Sequence, residues 1–270
     1  MDEKLHKVLA SQGLGSRRQM EAWITEGRVR VNGQTAHLGQ RVSDKDSIEI
    51  DGKPLRIRHQ QAPLQVIIYH KPAGEICTRN DPENRPTIYR FLPHLKGERW
   101  ISVGRLDFNT TGLLLLTNNG ELANQLMHPS SQIEREYLVR VHGSVSDDVI
   151  EQLKKGVVLE DGLARFDSIQ HIGGEGSNQL YLVTLHEGRY REVRRLWEAV
   201  GAQVNRLKRT RFGPIAIPKP LKERKCYSLT TAEMSELLRA VGLDDKKFLQ
   251  TGRETRPARK KLTTRRYKSR

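Results

Sequence analysis

Apolar and polar positions change period several times along this chain, and each change marks an element. Leu5, Val8 and Leu9 fall at helical spacing within Glu3–Gln12, and Gly13 and Gly15 close that stretch. Ser16 offers an N-cap to a second helix over Arg17–Glu26, with Met20, Trp23 and Ile24 on one face and Gly27 as its stop. The period then drops to two. Val29-Arg30-Val31 reads as a strand, Asn32-Gly33 as a hairpin turn, and Ser47–Ile50 as a closing strand before Asp51-Gly52. Lys53–Gln65 holds Pro54, Pro63 and little to bury, which predicts a tether. Val66–Tyr69 is an apolar strand cut short by the turn His70-Lys71-Pro72-Ala73-Gly74. Cys77–Pro86 is almost wholly polar and predicts a surface loop, and Thr87–Leu92 one helical turn before Pro93.

The stretch Ile101–Gly120 is the most informative. Ile101-Ser102-Val103 breaks at Gly104, Arg105 and Asp107 flank Leu106, and Leu113–Leu116 runs apolar without alternation to the turn Asn118-Asn119-Gly120. A continuous apolar run bounded by turn residues predicts a strand buried on both faces, which leaves Asp107 in a polar bend between two strands. A carboxylate there either closes the turn or does chemistry, and the residues alone leave both open. Downstream come a short helix Glu121–Met127, a strand Tyr137–Val141, and a helix from the Ser146 cap to Lys155 and Gly156. Strands follow at Ala164–Gln170 and Leu180–Leu185. The loop Gly173-Gly174-Glu175-Gly176 between them lacks the spacing and following helix of a phosphate loop.

Over Tyr190–Val200, Val193, Leu196, Trp197 and Val200 fall at i, i+3, i+4 and i+7, one buried helical face. Arg191, Arg194 and Arg195 fall beside it, which marks either a wet surface or a phosphate site. Strands at Val204–Phe212 and Lys225–Leu229 precede a last helix, capped by Thr230 or Thr231, to Ala240. Many short strands with interspersed helices, and no regular βαβ alternation, predict an α+β fold around a mixed, largely antiparallel sheet flanked by helices.

Charge narrows the partner. Over 270 residues the net charge is +15, with a sequence pI of about 10.0, and both point to a polyanion. Eleven Lys and Arg against the single acid Glu254 lie in 246–270, so that segment carries +10 and the remainder only +5. Little in 244–270 can be buried, which predicts a disordered basic tail. Cys77 and Cys226 have no metal-ligand spacing and make no disulfide framework, consistent with a reducing cytoplasm. No apolar run reaches membrane-spanning length, and the charged N-terminus does not resemble a signal peptide.

Gly104-Arg105-Leu106-Asp107, followed by a threonine, Gly112-Leu113-Leu114-Leu115-Leu116-Thr117-Asn118 and Asn119-Gly120, resembles the catalytic-aspartate motif of the ribosomal-RNA pseudouridine synthases. The branch is the one typified by small-subunit synthase A. The phrase GxGSRRxxExxIxxGRVxVNG over Gly13–Gly33 resembles the S4 RNA-binding fold. The resemblance covers roughly residues 3–243. It implies an S4-like domain and linker over 1–60 and a pseudouridine synthase domain over 61–243, followed by the tail 244–270. By it, Asp107 is the catalytic carboxylate, Arg194 its ion-pair partner, and Tyr137 the ring that stacks on the target base. Arg17, Arg18, Arg28, Arg105, Arg191 and Arg195 become expected RNA contacts. No metal and no cofactor is implied. Overall likeness within the branch favours 23S large-subunit rRNA, or a ribosome-assembly intermediate, as partner of a cytoplasmic monomer, with small-subunit rRNA or tRNA as alternatives. Two further classes compete. A non-catalytic ribosome-assembly protein would need only the S4-like unit and the tail, and a glycosidase acting on free nucleosides would need a second acid that the motifs do not supply.

Overall fold

The computed structural model describes residues 2–57, 63–95, 98–143 and 145–249. The chain divides into two compact units, Met1–Pro63 with His94–Trp100, and Leu64–Pro93 with Ile101–Arg270. The excursion at His94–Trp100, which the sequence placed in the second domain, thus groups with the first unit; it carries the buried Leu95 and Trp100.

In the first unit, helices Leu5–Ser11 and Arg17–Thr25 bury Leu5, Leu9, Met20 and Ile24 against Val29, Val31, Val42 and Ile48. Ser16 caps the second helix, its hydroxyl accepting from the Gln19 N–H at 3.1 Å. The main ribbon has the lateral order Gln34–Thr35, Val29–Val31, Ile48–Ile50, Lys53–Pro54. Its turns are Asn32-Gly33 and Asp51-Gly52, with φ of 53°, 78°, 49° and 73°, the left-handed pairs that tight hairpins demand. Two expectations shift. Glu3–Lys4 is a strand against Arg41–Val42 and not a first helical turn, because the Leu5 N–H donates to the Gln40 carbonyl and holds the chain extended. Lys53–Pro54 joins the ribbon, with proline at a sheet edge where no N–H is needed, so the tether begins later than Lys53.

The second unit is built on a nine-stranded sheet. Its main order is Ser168–Glu175, Asn178–Leu185, Arg135–His142, Gln203–Phe212, Thr110–Thr117, Val66–Lys71, Cys226–Ser228. Ile101–Ser102 and Ile215–Ala216 attach to Thr110–Thr117 and Gln203–Phe212. All pairings are antiparallel except the central one, where Thr110–Gly112 runs parallel to Leu207–Arg209. The sheet is therefore mixed and largely antiparallel, in an α+β fold. Leu113, Leu114, Leu115 and Leu116 are all at 0% exposure, as the unbroken apolar run requires. Each such burial is worth about 1.5–3 kcal/mol. Together they match the whole net stability of an ordinary domain, about 5–15 kcal/mol, so the sheet depends on this strand. It joins two cores. One gathers Val139, Val183, Leu196 and Trp197, and the other gathers Ile68, Leu115, Leu122, Leu126 and Leu237 under helices Gly120–Met127 and Thr231–Arg239.

Three local expectations are corrected. Gly173 and Gly174 lie inside the strand Ser168–Glu175, where the ladder slips between His171 and Gly173, and a Cβ on Gly174 would lie 2.4 Å from the Asn178 carbonyl. The arginine helix spans only Glu192–Glu198. Arg191 precedes it with φ 48°, because the Glu192 carboxylate reaches back to the Arg189 N–H at 2.9 Å and fixes a turn there. Asp245–Leu249, expected as the start of the tail, is a short helix: Asp245 accepts from Ser235 and Arg239, and Phe248 packs against the second core. The rest of the expected tail, 250–270, lies outside the described residues.

Gly112 sits at the parallel crossing with φ 103°, and a Cβ there would lie 2.2 Å from the Arg209 carbonyl oxygen. Neither backbone can yield, so Gly112→Ala is expected to lower stability by about 3 kcal/mol or more. A denaturant midpoint shifted at constant slope would show this, and an unshifted midpoint would refute the crossing as described.

Candidate active site

Asp107 lies in the bend between Ile101–Ser102 and Thr110–Thr117, half-buried. Every main-chain carbonyl from Leu106 to Thr110 is occupied. The Leu106 carbonyl accepts from Cys77 Sγ at 3.4 Å, and the Leu106 N–H points back at that sulfur at 3.5 Å. The Asp107 carbonyl accepts from Lys71 Nζ at 3.0 Å and from the Thr110 N–H at 3.0 Å. Phe108 is held by the Gly74 N–H at 2.9 Å, Asn109 by Arg194 Nη2 at 3.1 Å, and Thr110 by Lys71 Nζ at 2.9 Å. The Asp107 carboxylate, by contrast, has no hydrogen-bond or ion-pair partner among the described residues. Turn closure, one of the two roles open to this aspartate, is done by the backbone and by Lys71. The side chain is left available.

Lys71 went unmarked by the sequence pattern. It ends the strand Val66–Lys71 fully buried, and its ammonium donates to the carbonyls of Pro72, Asp107 and Thr110 at 2.9–3.0 Å, with Phe108 at 3.4 Å. Burial pushes its pKa below the usual lysine range, while Cys77, Glu75 and Asp107 oppose that fall. A lysine at the end of an apolar strand ordinarily snorkels to solvent, so only the following Pro72-Ala73-Gly74 turn hinted that this one folds under.

Arg194 sits on the helix anchored by Val193, Leu196 and Trp197, and is itself only 7% exposed. The family resemblance paired it with the Asp107 carboxylate. Among the described residues no such ion pair exists; the guanidinium bonds two main-chain oxygens, Val204 at 2.9 Å and Asn109 at 3.1 Å. It thus braces the bend two residues beyond Asp107. Their coupling is through space: burial and then Arg191 lower the Arg194 pKa, and Asp107 partly opposes them.

Register brings further groups together. Lys71 is opposite Gly112, Gly112 beside Arg209, and Arg209 opposite Tyr137, one row across four strands. Arg209 is buried; its Nε donates to the Leu113 carbonyl at 2.8 Å, and its Nη2 has no partner among the described residues. A buried donor left open costs about 1–3 kcal/mol. Arg194 Nε is in the same condition. Tyr137 is nearly buried in the first core, and its hydroxyl has no partner among the described residues. Nearby, the fully buried Glu75 accepts from the Tyr69 hydroxyl at 2.7 Å and Arg224 Nε at 2.8 Å. A recess of about 420 Å³ lined by Pro72, Ala73, Thr111, Glu223 and Arg224 adjoins this network.

The expected RNA-contacting arginines divide evenly. Arg17, Arg18 and Arg105 are exposed and have no ion-pair partner among the described residues. Arg28 is engaged, bidentate to Asp51 at 2.9 and 2.6 Å and stacked 4.3 Å over Trp23. Arg195 is bidentate to Asp161 at 2.9 and 2.8 Å, and Arg191 faces Glu198 at 3.7 Å. Their acids lie 23 residues away for Arg28 and 34 for Arg195, beyond any local pattern.

Comparison with known proteins decides the family. A model described as RNA pseudouridylate synthase matches residues 65–199, and an S4 domain model matches residues 3–48. The chain belongs to the RNA pseudouridylate synthase family. A Shigella flexneri relative named ribosomal large subunit pseudouridine synthase B is 55% identical over 90% of this chain and 85% of its own length. A Xylella fastidiosa relative of the same name is 51% identical over 90% of this chain, but the chain spans only 52% of that relative's length. A crystal structure titled pseudouridylate synthase superposes with TM-score 0.61 at 28% identity, covering 87% of this chain and 99% of that one.

If the bend hangs on the buried ammonium, Lys71→Met strips a donor from four carbonyls at once. The expected cost is about 2–5 kcal/mol, measured by chemical denaturation. A variant as stable as the parent would assign the bend's order to something other than Lys71.

Proposed function

We propose that this protein isomerises a uridine of ribosomal RNA to pseudouridine, with 23S large-subunit rRNA as substrate, and that it acts as a cytoplasmic monomer. The observation that carries the reading is the Asp107 carboxylate, without a partner among the described residues, on a bend whose every carbonyl is tied. A protein that merely bound RNA would have no use for a free carboxylate facing a polyanion. The names of the relatives support the large subunit as target, and the S4 match supports capture of RNA by the first unit, with Arg17 and Arg18 as its free cations.

The reaction breaks the N1–C1′ bond, turns the uracil, and joins C5 to C1′, with the C5 proton lost and one gained at N1. Atoms and electrons balance without any oxidant or reductant. In this reading the Asp107 carboxylate meets the target nucleotide, and it favours the charged forms of Lys71 and Arg194. Tyr137 holds the displaced base by stacking, worth about 1–3 kcal/mol per base. Lys71, Arg194 and Cys77 touch no substrate in this scheme. They hold the main chain that aims the carboxylate.

Asp107→Asn keeps the shape and removes the charge. Because that carboxylate has no partner among the described residues, stability should stay within about 0.5 kcal/mol and RNA affinity within a few-fold, while pseudouridine formation falls to background. Turnover by purified protein on 23S, 16S and tRNA transcripts checks both points. An active Asn variant refutes the assignment of Asp107, and preference for 16S or tRNA by the parent refutes the choice of substrate.

A further inference from the structure

We propose that the open face of the sheet, on strands Arg135–His142, Asn178–Leu185 and Gln203–Phe212, is a second contact for the RNA backbone, on the reverse side of the sheet from Tyr137. The proposal rests on the ribosomal-RNA reading above and adds a surface to it.

Strand alternation separates the two faces. Tyr137, Val139 and Val141 enter the core on which the Arg194 helix packs, so Leu138 and Arg140 lie on the other side. Leu207 and Arg209 are buried with that core side, which leaves Arg206 and Lys208 on the open one. Register then assembles two rows. Lys208 lies opposite Leu138, which lies opposite Leu182; Arg206 lies opposite Arg140, which lies opposite Leu180. The three leucines are only half-buried and belong to none of the three hydrophobic cores.

The charges on this face work against folding. Arg140 and Arg206 are direct cross-strand neighbours, and like charges so placed destabilise a sheet. Arg140, Arg206 and Lys208 have no ion-pair partner among the described residues. Glu136, the carboxylate on these strands nearest in register, is already taken by Arg211 at 3.3 Å and Thr210 at 2.7 Å. Strand geometry sets the three cations within about 7 Å of their neighbours. Three cations without an ion-pair partner among the described residues, set around half-buried leucines, fit phosphates outside and ribose or base faces against the leucines. An acidic protein surface would answer the charge alone, so RNA is the occupant we infer.

The test uses the full chain with Arg140→Gln, Arg206→Gln and Lys208→Gln combined, a long 23S transcript, and binding measured across a salt series. Every phosphate that the variant no longer neutralises should flatten the log–log salt slope by about 0.7–0.9, so the triple variant should lose about two units of slope. KM should rise at least ten-fold with kcat held within two-fold, and the melting temperature should stay level or rise as the repulsion is relieved. A folded triple variant with the parent's slope and affinity overturns the proposal. So does intact RNA binding joined to lost binding of ribosomal particles, which would give the face to a protein. Should the triple variant unfold, Arg206→Glu at an exposed position reads the same slope. Binding slopes do not depend on turnover, so a parent that binds but fails to isomerise would refute the function and leave this inference standing.

Discussion

Burying the Lys71 ammonium costs several kcal/mol of desolvation, and the fold recovers that only because four main-chain carbonyls converge on it. Three of these belong to Asp107, Phe108 and Thr110. The same contact that satisfies the lysine therefore sets the path of the bend. Cys77 fixes its entry through Leu106, and Arg194 braces its middle through Asn109. Side chains from three separate segments thus hold a backbone, and the backbone presents one carboxylate. An aspartate that had to close its own turn would have spent its oxygens on local N–H groups.

Burying cations in the sheet and beside the bend has its own cost. Arg194 and Arg209 each keep a buried guanidinium N–H without a partner among the described residues, and burial lowers the pKa of Lys71, Arg135 and Arg194 alike. Asp107 lowers the free energy of its charged neighbours, but it cannot pair with any of them and also remain open to substrate. The arrangement trades stability for an accessible carboxyl group, a trade common at functional sites. Much of the offset comes from the strand next to the bend, whose four fully buried leucines lock the crossing at Gly112.

Cations elsewhere separate by whether an acid answers them. Arg28 and Arg195 are each clamped by two carboxylate oxygens and serve the fold. Arg17, Arg18 and Arg105 have no such answer among the described residues, and neither do Arg140, Arg206 and Lys208. Total charge points to a polyanionic partner. Pairing says which side chains remain to bind it.

Much of this protein is legible in one dimension because the forces concerned are local. Period-two and period-3.6 patterns, the Ser16 and Ser146 caps and the Asn32-Gly33 turn fix elements through contacts a few residues apart, and the structure bears them out. The unbroken leucine run announced a strand buried on both faces, and with it the bend that carries Asp107. What the sequence could not decide depends on partners brought together by register. Lys71 reaches carbonyls 36 and 39 residues away, and Arg194 reaches one 85 residues away. The family resemblance made Arg194 the partner of a carboxylate and made Arg28 and Arg195 RNA contacts. A guanidinium binds a carbonyl and a carboxylate by the same hydrogen-bond geometry, so composition cannot tell which it will meet. Only the closing of the sheet, which puts Gln203–Phe212 between Thr110–Thr117 and Arg135–His142, settles that choice.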